Sequence, residues 1–468
     1  MDASTLYDKV LDLAKSFGLK DKKNGGSNAN AIVRRNIEEK AYVGQGAYFG
    51  FINPEEEYTG AYSDFSLVIF PQKNEGKCVV ALGVGSLGFK NDLSLAALPG
   101  LRRSFLRLME NDGKSFCKTS FLDIESSSKD LLEKVRTDCP DLFGVIDKYK
   151  TVLPASRIID PDNDFEILAA WLAKYAEYRE WASNSSHKNA IKNALYKCKK
   201  TESINIEEEV KQLLENRHFI VLQGAPGTGK TFTALKLSKT FDKTFFEQFH
   251  AETTYSDFIY GIKPKLNSDT LQYEANKGIL YQAIEYATQY HDKNVLLIID
   301  EINRANLSNV LGPVFYLFEY QATSRECEFK IGDIILTQLP DNLYVIATMN
   351  TADRSLAVVD FALRRRFAWY TLKPHIIEVE EDKVFHNSLF QQFNAIFDKY
   401  ATDEELILQP GQSYFITNKD NASKEIKNRL TYELMPLIKE YLSEGFMLKA
   451  KDQFNDLFYQ EANIQMYE

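Results

Sequence analysis

One octapeptide constrains this chain more than any other feature: Gly224-Ala225-Pro226-Gly227-Thr228-Gly229-Lys230-Thr231. It fits the pattern GxxxxGK[ST], and its flanks supply the context that pattern needs, a strand before and a helix after. Phe219–Gln223 reads as an apolar strand, and a helix is expected from Lys230. Glycines let such a loop curl with its N–H groups turned inward, and the start of the helix adds partial positive charge. The loop is therefore read as a phosphate cradle. Lys230 is expected to reach the β- and γ-phosphates of a nucleoside triphosphate, and Thr231 to place its hydroxyl on Mg²⁺.

A second stretch fits the first. Residues 295–301 read Val-Leu-Leu-Ile-Ile-Asp-Glu, an apolar run that ends in two acids. As a parallel strand it would deliver Asp300 to the sheet edge beside the phosphate loop. Asp300 is expected to hold the hydration shell of Mg²⁺, and Glu301 to orient and polarise the attacking water. Charge that develops on the γ-phosphoryl must be met by fixed donors and cations. Asn350 ends the apolar strand Leu343–Met349 and can donate to the water or to the γ-phosphate. Arg364-Arg365-Arg366 follow a helix-like stretch, Val358–Leu363. An arginine that reaches a neighbouring subunit's nucleotide is worth roughly 10³–10⁵ in rate.

From residue 204 onward the pattern alternates. Strands are expected at Thr244–Phe249, 295–300 and 343–349, helices at 278–290 and 306–321, and the chain turns helical after Pro374. Apolar strands alternating with helices indicate a parallel sheet covered on both faces. Upstream the reading differs. A short helix is expected in residues 1–20, then a polar loop at 21–30, then strands at Tyr48–Ile52, Phe65–Phe70 and Cys78–Val84. Leu101–Met109 and Lys129–Val135 read as helices. Residues 164–198 are helical and aromatic, closing with Lys188, Lys192, Lys197, Lys199 and Lys200. The fold class expected is an α/β P-loop NTPase domain with a helical lid, preceded by an α+β domain. The expected bounds are 1–155 for the N-terminal domain, 156–203 for a helical linker, 204–375 for the large α/β subdomain and 376–468 for the lid.

Composition narrows the class. Of 468 residues, 44% are hydrophobic and 26% charged, an ordinary globular balance. No run approaches the ~18–20 apolar residues of a membrane helix, and Met1-Asp2-Ala3-Ser4 opens no secretory leader, so a cytoplasmic protein without membrane contact is expected. None of the five cysteines lies within four residues of another, and the histidines form no HxH or HxxxH pair, so no zinc site is expected. The net charge of −10 divides into +2 for residues 1–200 and −12 for the remainder. The acidic part is not expected to hold nucleic acid by bulk charge.

The order of phosphate loop, acidic strand end, asparagine, arginine cluster and helical lid resembles that of AAA+ NTPases. Within them the wording resembles the McrB family, motor subunits of modification-dependent restriction systems. The matching stretches are Asp300-Glu301-Ile302-Asn303-Arg304-Ala305-Asn306, Met349-Asn350-Thr351-Ala352-Asp353-Arg354-Ser355 and Ala362-Leu363-Arg364-Arg365-Arg366-Phe367. Phe249-His250, Tyr255-Ser256-Asp257-Phe258-Ile259-Tyr260-Gly261, Gly411-Gln412-Ser413-Tyr414-Phe415 and Pro436-Leu437-Ile438-Lys439-Glu440-Tyr441 match too. The resemblance implies GTP as substrate with ATP as the alternative, Mg²⁺, a hexameric ring and a McrC-type nuclease partner. It also implies that Asn350 and Asp353 position the water and contact the partner. Arg365 is the implied finger on a neighbour's nucleotide, with Arg366 beside it. A MoxR-like chaperone that remodels protein with ATP is the rival reading, and Asn350–Asp353 argues against it.

In that family the N-terminal region reads DNA, often by flipping a modified base into an aromatic pocket. Tyr42, Tyr48, Phe49, Phe51, Tyr58 and Tyr62 offer aromatic side chains here, with Arg34, Arg35, Arg102, Arg103 and Arg107 near in sequence. An aromatic core with surface arginines is the plainer reading of the same residues. Asp64 followed by Glu75-Gly76-Lys77 also mimics a D…ExK nuclease pattern.

Overall fold

Strands β1 (Ile32–Asn36), β2 (Tyr48–Ile52), β3 (Phe65–Phe70), β4 (Cys78–Val84), β5 (Ser115–Cys117) and β6 (Ala155–Ile159) form one antiparallel sheet in the computed structural model. Their order is β1-β2-β3-β4-β6-β5. The structure describes all residues except 45, 58–62, 75, 86, 110, 111, 128, 199–204, 266–271, 320–327, 353–360 and 468. The chain divides into two compact units, one of residues 1–202 with 398–400, the other of 203–397 with 401–468.

In the first unit both sheet faces are covered, which explains why β3 and β4 are apolar without alternation. Phe65, Leu67 and Ile69 of β3 enter the same core as Leu6, Val10, Trp171 and Tyr175 from the helices Ala3–Ser16 and Phe165–Tyr178. Val68 and Phe70 point the other way, into a core with Leu131, Val135, Val145 and Ile146. The expectation of a linker at 156–203 is corrected here. β6 pairs with β4 and β5 inside the sheet, and Phe165–Tyr178 and Ser185–Cys198 build its core. Arg179 closes the arrangement by donating to both carboxylate oxygens of the buried Asp92. Trp171 is wholly buried, its ring edge-on to Phe105 at 5.1 Å. Trp171→Ala is expected to cost this unit about 3–5 kcal/mol through the cavity it leaves. Chemical denaturation followed on the remaining tryptophans checks this.

In the second unit β7 (Phe219–Gly224), β8 (Lys243–Gln248), β11 (Val295–Asp300), β14 (Leu343–Asn350) and β15 (Ala368–Thr371) form a parallel sheet in the order β15-β7-β14-β11-β8. Two hairpins branch from it, β9 (Tyr260–Pro264) with β10 (Tyr273–Lys277), and β12 (Phe329–Ile331) with β13 (Ile334–Leu336). All six residues of β11 are buried, because helices cover both faces. Leu297 and Ile299 pack with Phe258, Leu280 and Ile284; Leu296 and Ile298 pack with Val210, Leu214, Ala234 and Leu237.

The helix expected at 306–321 is broken. An α-turn, Leu307–Val310, passes into a 3₁₀ segment, Gly312–Phe318. Pro313 has no N–H to donate and its ring crowds the carbonyl four residues back, so the α-helix stops there. The segment is held by packing, with Val310, Val314, Leu317 and Phe318 in the core. The C-terminal region is helical as expected (Asn387–Tyr400, Ala422–Arg429, Met435–Ser443, Lys451–Ala462) around Phe393, Phe397, Phe415 and Phe454. A short antiparallel pair, β16 (Lys383–Phe385) with β17 (Ile416–Asn418), is added to it.

Candidate functional site

The sheet order creates the site. From β7 the chain crosses to β8 at the far edge, and β14 and β11 later fill the gap. The carboxyl ends of β7, β14 and β11 then open onto one crevice, where ligands bind in open α/β sheets. Register decides which side chains meet there. Asn350 at the end of β14 is the Cα partner of Gly224, and Thr351 N–H donates to Gly224 O at 3.1 Å.

The loop after β7 has the form its sequence requires. Gly227 (φ +79) and Gly229 (φ +88) adopt left-handed backbone that side chains disfavour. The helix Lys230–Ser238 starts directly after them. Lys230 Nζ donates to Gly224 O and Ala225 O, each at 2.9 Å, folding back over its own loop. Burial pulls its ammonium down to about 8 against the opposing pull of Glu301 and Asp300. Phosphate oxygens in the cradle would reverse that burden.

Asp300 is 7% exposed and takes two hydroxyl donors on one oxygen, Thr231 Oγ1 and Thr348 Oγ1, both at 2.7 Å. The Thr231–Asp300 pair is an all-oxygen donor set, which suits Mg²⁺ and not a thiophilic metal. Glu301 sits at φ +53, and its N–H donates to the same Thr348 hydroxyl at 3.1 Å. A non-glycine residue held in this region signals a constraint imposed by its surroundings. Its Oε2 is buried, 3.4 Å from Arg304 Nε, and makes no hydrogen bond among the described residues. A carboxylate oxygen placed in that way has capacity left for a water proton.

Thr348 was not singled out by sequence reasoning. Its signal is an aliphatic hydroxyl inside the apolar run Leu343–Met349, a position where burial demands a partner. Thr348→Val keeps the shape and removes the hydroxyl from both carboxyl-bearing residues. Turnover is expected to fall about tenfold, the factor carried by about 1.4 kcal/mol of transition-state stabilisation. Steady-state phosphate release measures it.

Asn350 Oδ1 accepts from Ala352 N–H at 3.2 Å, and Asn303 Nδ2 donates to Asn350 O at 3.3 Å. Of the arginines, Arg366 Nη2 pairs with Glu319 Oε1 at 2.7 Å, and the Arg364 guanidinium lies 5.4 Å from the Trp369 ring. Arg365 is exposed and has no partner among the described residues. Asp353 lies outside the described residues, as do Tyr58, Tyr62 and Glu75.

The C-terminal region reaches the loop. Gly411 N–H donates to Pro226 O (2.8 Å), Ser413 N–H to Gly227 O (3.1 Å) and Gln412 Nε2 to Thr228 O (2.9 Å).

The N-terminal expectations fare differently. Phe49 and Phe51 are each 1% exposed and belong to the core, packed edge-on to Tyr7 and Trp181, so they line no base pocket. The sheet pleat decides this: both residues face the helices that cover β2. Arg35 stacks on Tyr7, Arg34 donates to Glu57 O and Arg102 to Lys118 O. Asp64 Oδ1 accepts the N–H groups of Lys90, Asn91 and Asp92, and Lys77 pairs with Asp138. The nuclease pattern is corrected accordingly, since Asp64 and Lys77 serve separate structural partners. Among the described residues no cluster of three metal-binding side chains exists, and no helix is long and apolar enough to cross a membrane.

Fold and site together define an AAA+ domain, and residues 219–367 match the family model described as AAA domain, dynein-related subfamily. The chain is 31% identical over 292 residues to the Type IV methyl-directed restriction enzyme EcoKMcrB subunit of Escherichia coli K12, a match covering 54% of this chain and 63% of that subunit. It is 26% identical over 272 residues to the Type II restriction enzyme BsuMI component YdiS of Bacillus subtilis 168, covering 46% of this chain and 77% of that protein. Residues 219–367 thus form an AAA domain in a chain that is similar to restriction-system subunits over about half its length. The chain spans less than two thirds of the Escherichia coli subunit's length.

Proposed function

We propose that this chain is a cytoplasmic nucleoside triphosphatase that prefers GTP to ATP, assembles as a hexameric ring and drives a McrC-type nuclease on DNA, with the first unit selecting the DNA. The observation that carries the hydrolytic part is the unspent Glu301 Oε2, held beside the phosphate loop by the Thr348 contact. Likeness to a restriction subunit supports the assignment to restriction.

In this reading the N–H groups of residues 224–229 and Lys230 bind the triphosphate. Thr231 and Asp300 would hold Mg²⁺, Asp300 partly through water. Mg²⁺, when bound, neutralises charge on the β- and γ-phosphates. Glu301 takes a proton from the attacking water, and Asn350 and Asp353 position that water and face the nuclease partner. Arg365 reaches into an adjoining protomer's site, with Arg366 beside it.

The test is turnover on GTP and on ATP with the purified chain, with Mg²⁺ and then with EDTA. GTP is expected to be hydrolysed faster and bound more tightly, and chelation to stop the reaction. Preference for ATP overturns the GTP assignment and favours the chaperone-type reading.

A further inference from the structure

Three consecutive carbonyls of the phosphate loop, those of Pro226, Gly227 and Thr228, are taken up by three consecutive lid residues, Gly411 to Ser413. The two backbones are in direct contact. A Cβ at Gly411 would stand 2.0 Å from Gly227 C, so only glycine permits the approach. Gln412 is the side chain in this clasp, 5% exposed and used at both ends. Its Nε2 donates to Thr228 O at 2.9 Å, and its Oε1 accepts from His375 N–H at 3.5 Å. His375 belongs to the segment that follows β15, where Leu372 N–H donates to Gln223 O at 2.8 Å. One buried amide therefore joins the phosphate loop, the connecting segment and the lid.

The consequence follows from peptide geometry. A trans peptide is planar, with its C=O and N–H pointing opposite ways. Holding the carbonyls of Pro226, Gly227 and Thr228 against the lid turns the N–H groups of Gly227, Thr228 and Gly229 away from it. Thr228 N–H meets Ala225 O at 3.4 Å, and the same peptide geometry turns the glycine N–H groups on either side away from the lid. A glycine-rich loop has unusual conformational freedom to lose before it can cup an anion. The clasp removes that freedom in advance.

We propose that Gln412 is a positioning residue for the phosphate loop. Its amide reads the lid's placement and sets the N–H groups that hold the triphosphate, so nucleotide affinity depends on lid docking. This rests on the reading of residues 224–231 as the nucleotide site, and the test separates the two.

Gln412→Met keeps the length without a donor, and Gln412→Glu keeps the shape but faces Thr228 O with an acceptor. In the full chain, both are expected to weaken binding of a fluorescent GTP analogue about five- to tenfold, as the loss of one or two buried hydrogen bonds does. The loss should fall on KM and not on kcat, with the melting temperature lowered by no more than the few degrees that a lost buried hydrogen bond costs. Lys230→Ala, measured alongside, should not bind. If both Gln412 variants bind like the parent while Lys230→Ala does not, the positioning role is wrong and the site reading stands. If kcat falls with affinity unchanged, or the melting temperature falls by more than those few degrees along with both parameters, the positioning role is also wrong. Undiminished binding by Lys230→Ala overturns the site reading itself.

Discussion

Glu301→Gln is expected to lower turnover by about 10²–10⁴-fold, the usual worth of a positioned general base, while nucleotide affinity stays close to that of the parent chain. The amide keeps the size of the carboxylate but has no basic oxygen for a water proton. The surroundings of Glu301 make the substitution a clean one. Its backbone is held at φ +53 by the strand end and the Thr348 hydroxyl, and its Oε2 accepts no hydrogen bond among the described residues. Glutamine loses the Arg304 contact at 3.4 Å, made to a half-exposed guanidinium and worth little on that account, together with the pull of the Glu301 charge on Lys230. Phosphate release and equilibrium binding should therefore separate. Unchanged hydrolysis removes Glu301 from its role. Loss of binding together with turnover shows instead that the carboxylate shapes the loop.

Arg365→Ala should cost about 10³-fold in turnover, at the lower end of what an arginine finger supplies. The three adjacent arginines are not equivalent. Arg366 is spent on Glu319 and Arg364 lies against Trp369, whereas Arg365 is exposed. Arg366→Ala is accordingly expected to act first on stability, by uncovering Phe315, 5.8 Å from the guanidinium, and removing the buried stem of the Glu319 pair. Mixing decides whether Arg365 acts across subunits. The Glu301→Gln chain has a sound arginine and the Arg365→Ala chain a sound glutamate. Combined, they should regain activity that neither has alone, because some interfaces pair the two intact residues. If the arginine acted within its own chain, every site in the mixture would keep one defect. Activity no higher than the sum of the separate chains thus excludes the shared site.

What the sequence by itself determined is local and contiguous. The loop 224–231 is legible because every residue it needs lies in one strand–turn–helix passage, and the glycines announce the two left-handed positions. Asp300 and Glu301 are legible because an apolar strand places whatever ends it at the sheet's edge. The alternation of apolar strands and helices was enough for a parallel sheet.

Tertiary structure alone decided how separate segments meet. Phe49 and Phe51 look like any exposed aromatic cluster until the pleat turns them into the core. Residues 156–203 look like a linker until β6 enters the sheet between β4 and β5. Sheet register brings Thr348 to Asp300 across 48 residues, and packing of the C-terminal region brings Gln412 to Thr228 across 184. No local propensity encodes such meetings. They arise when burial of the apolar faces fixes register and docking, and the polar groups carried along must then find partners or remain unsatisfied at a cost.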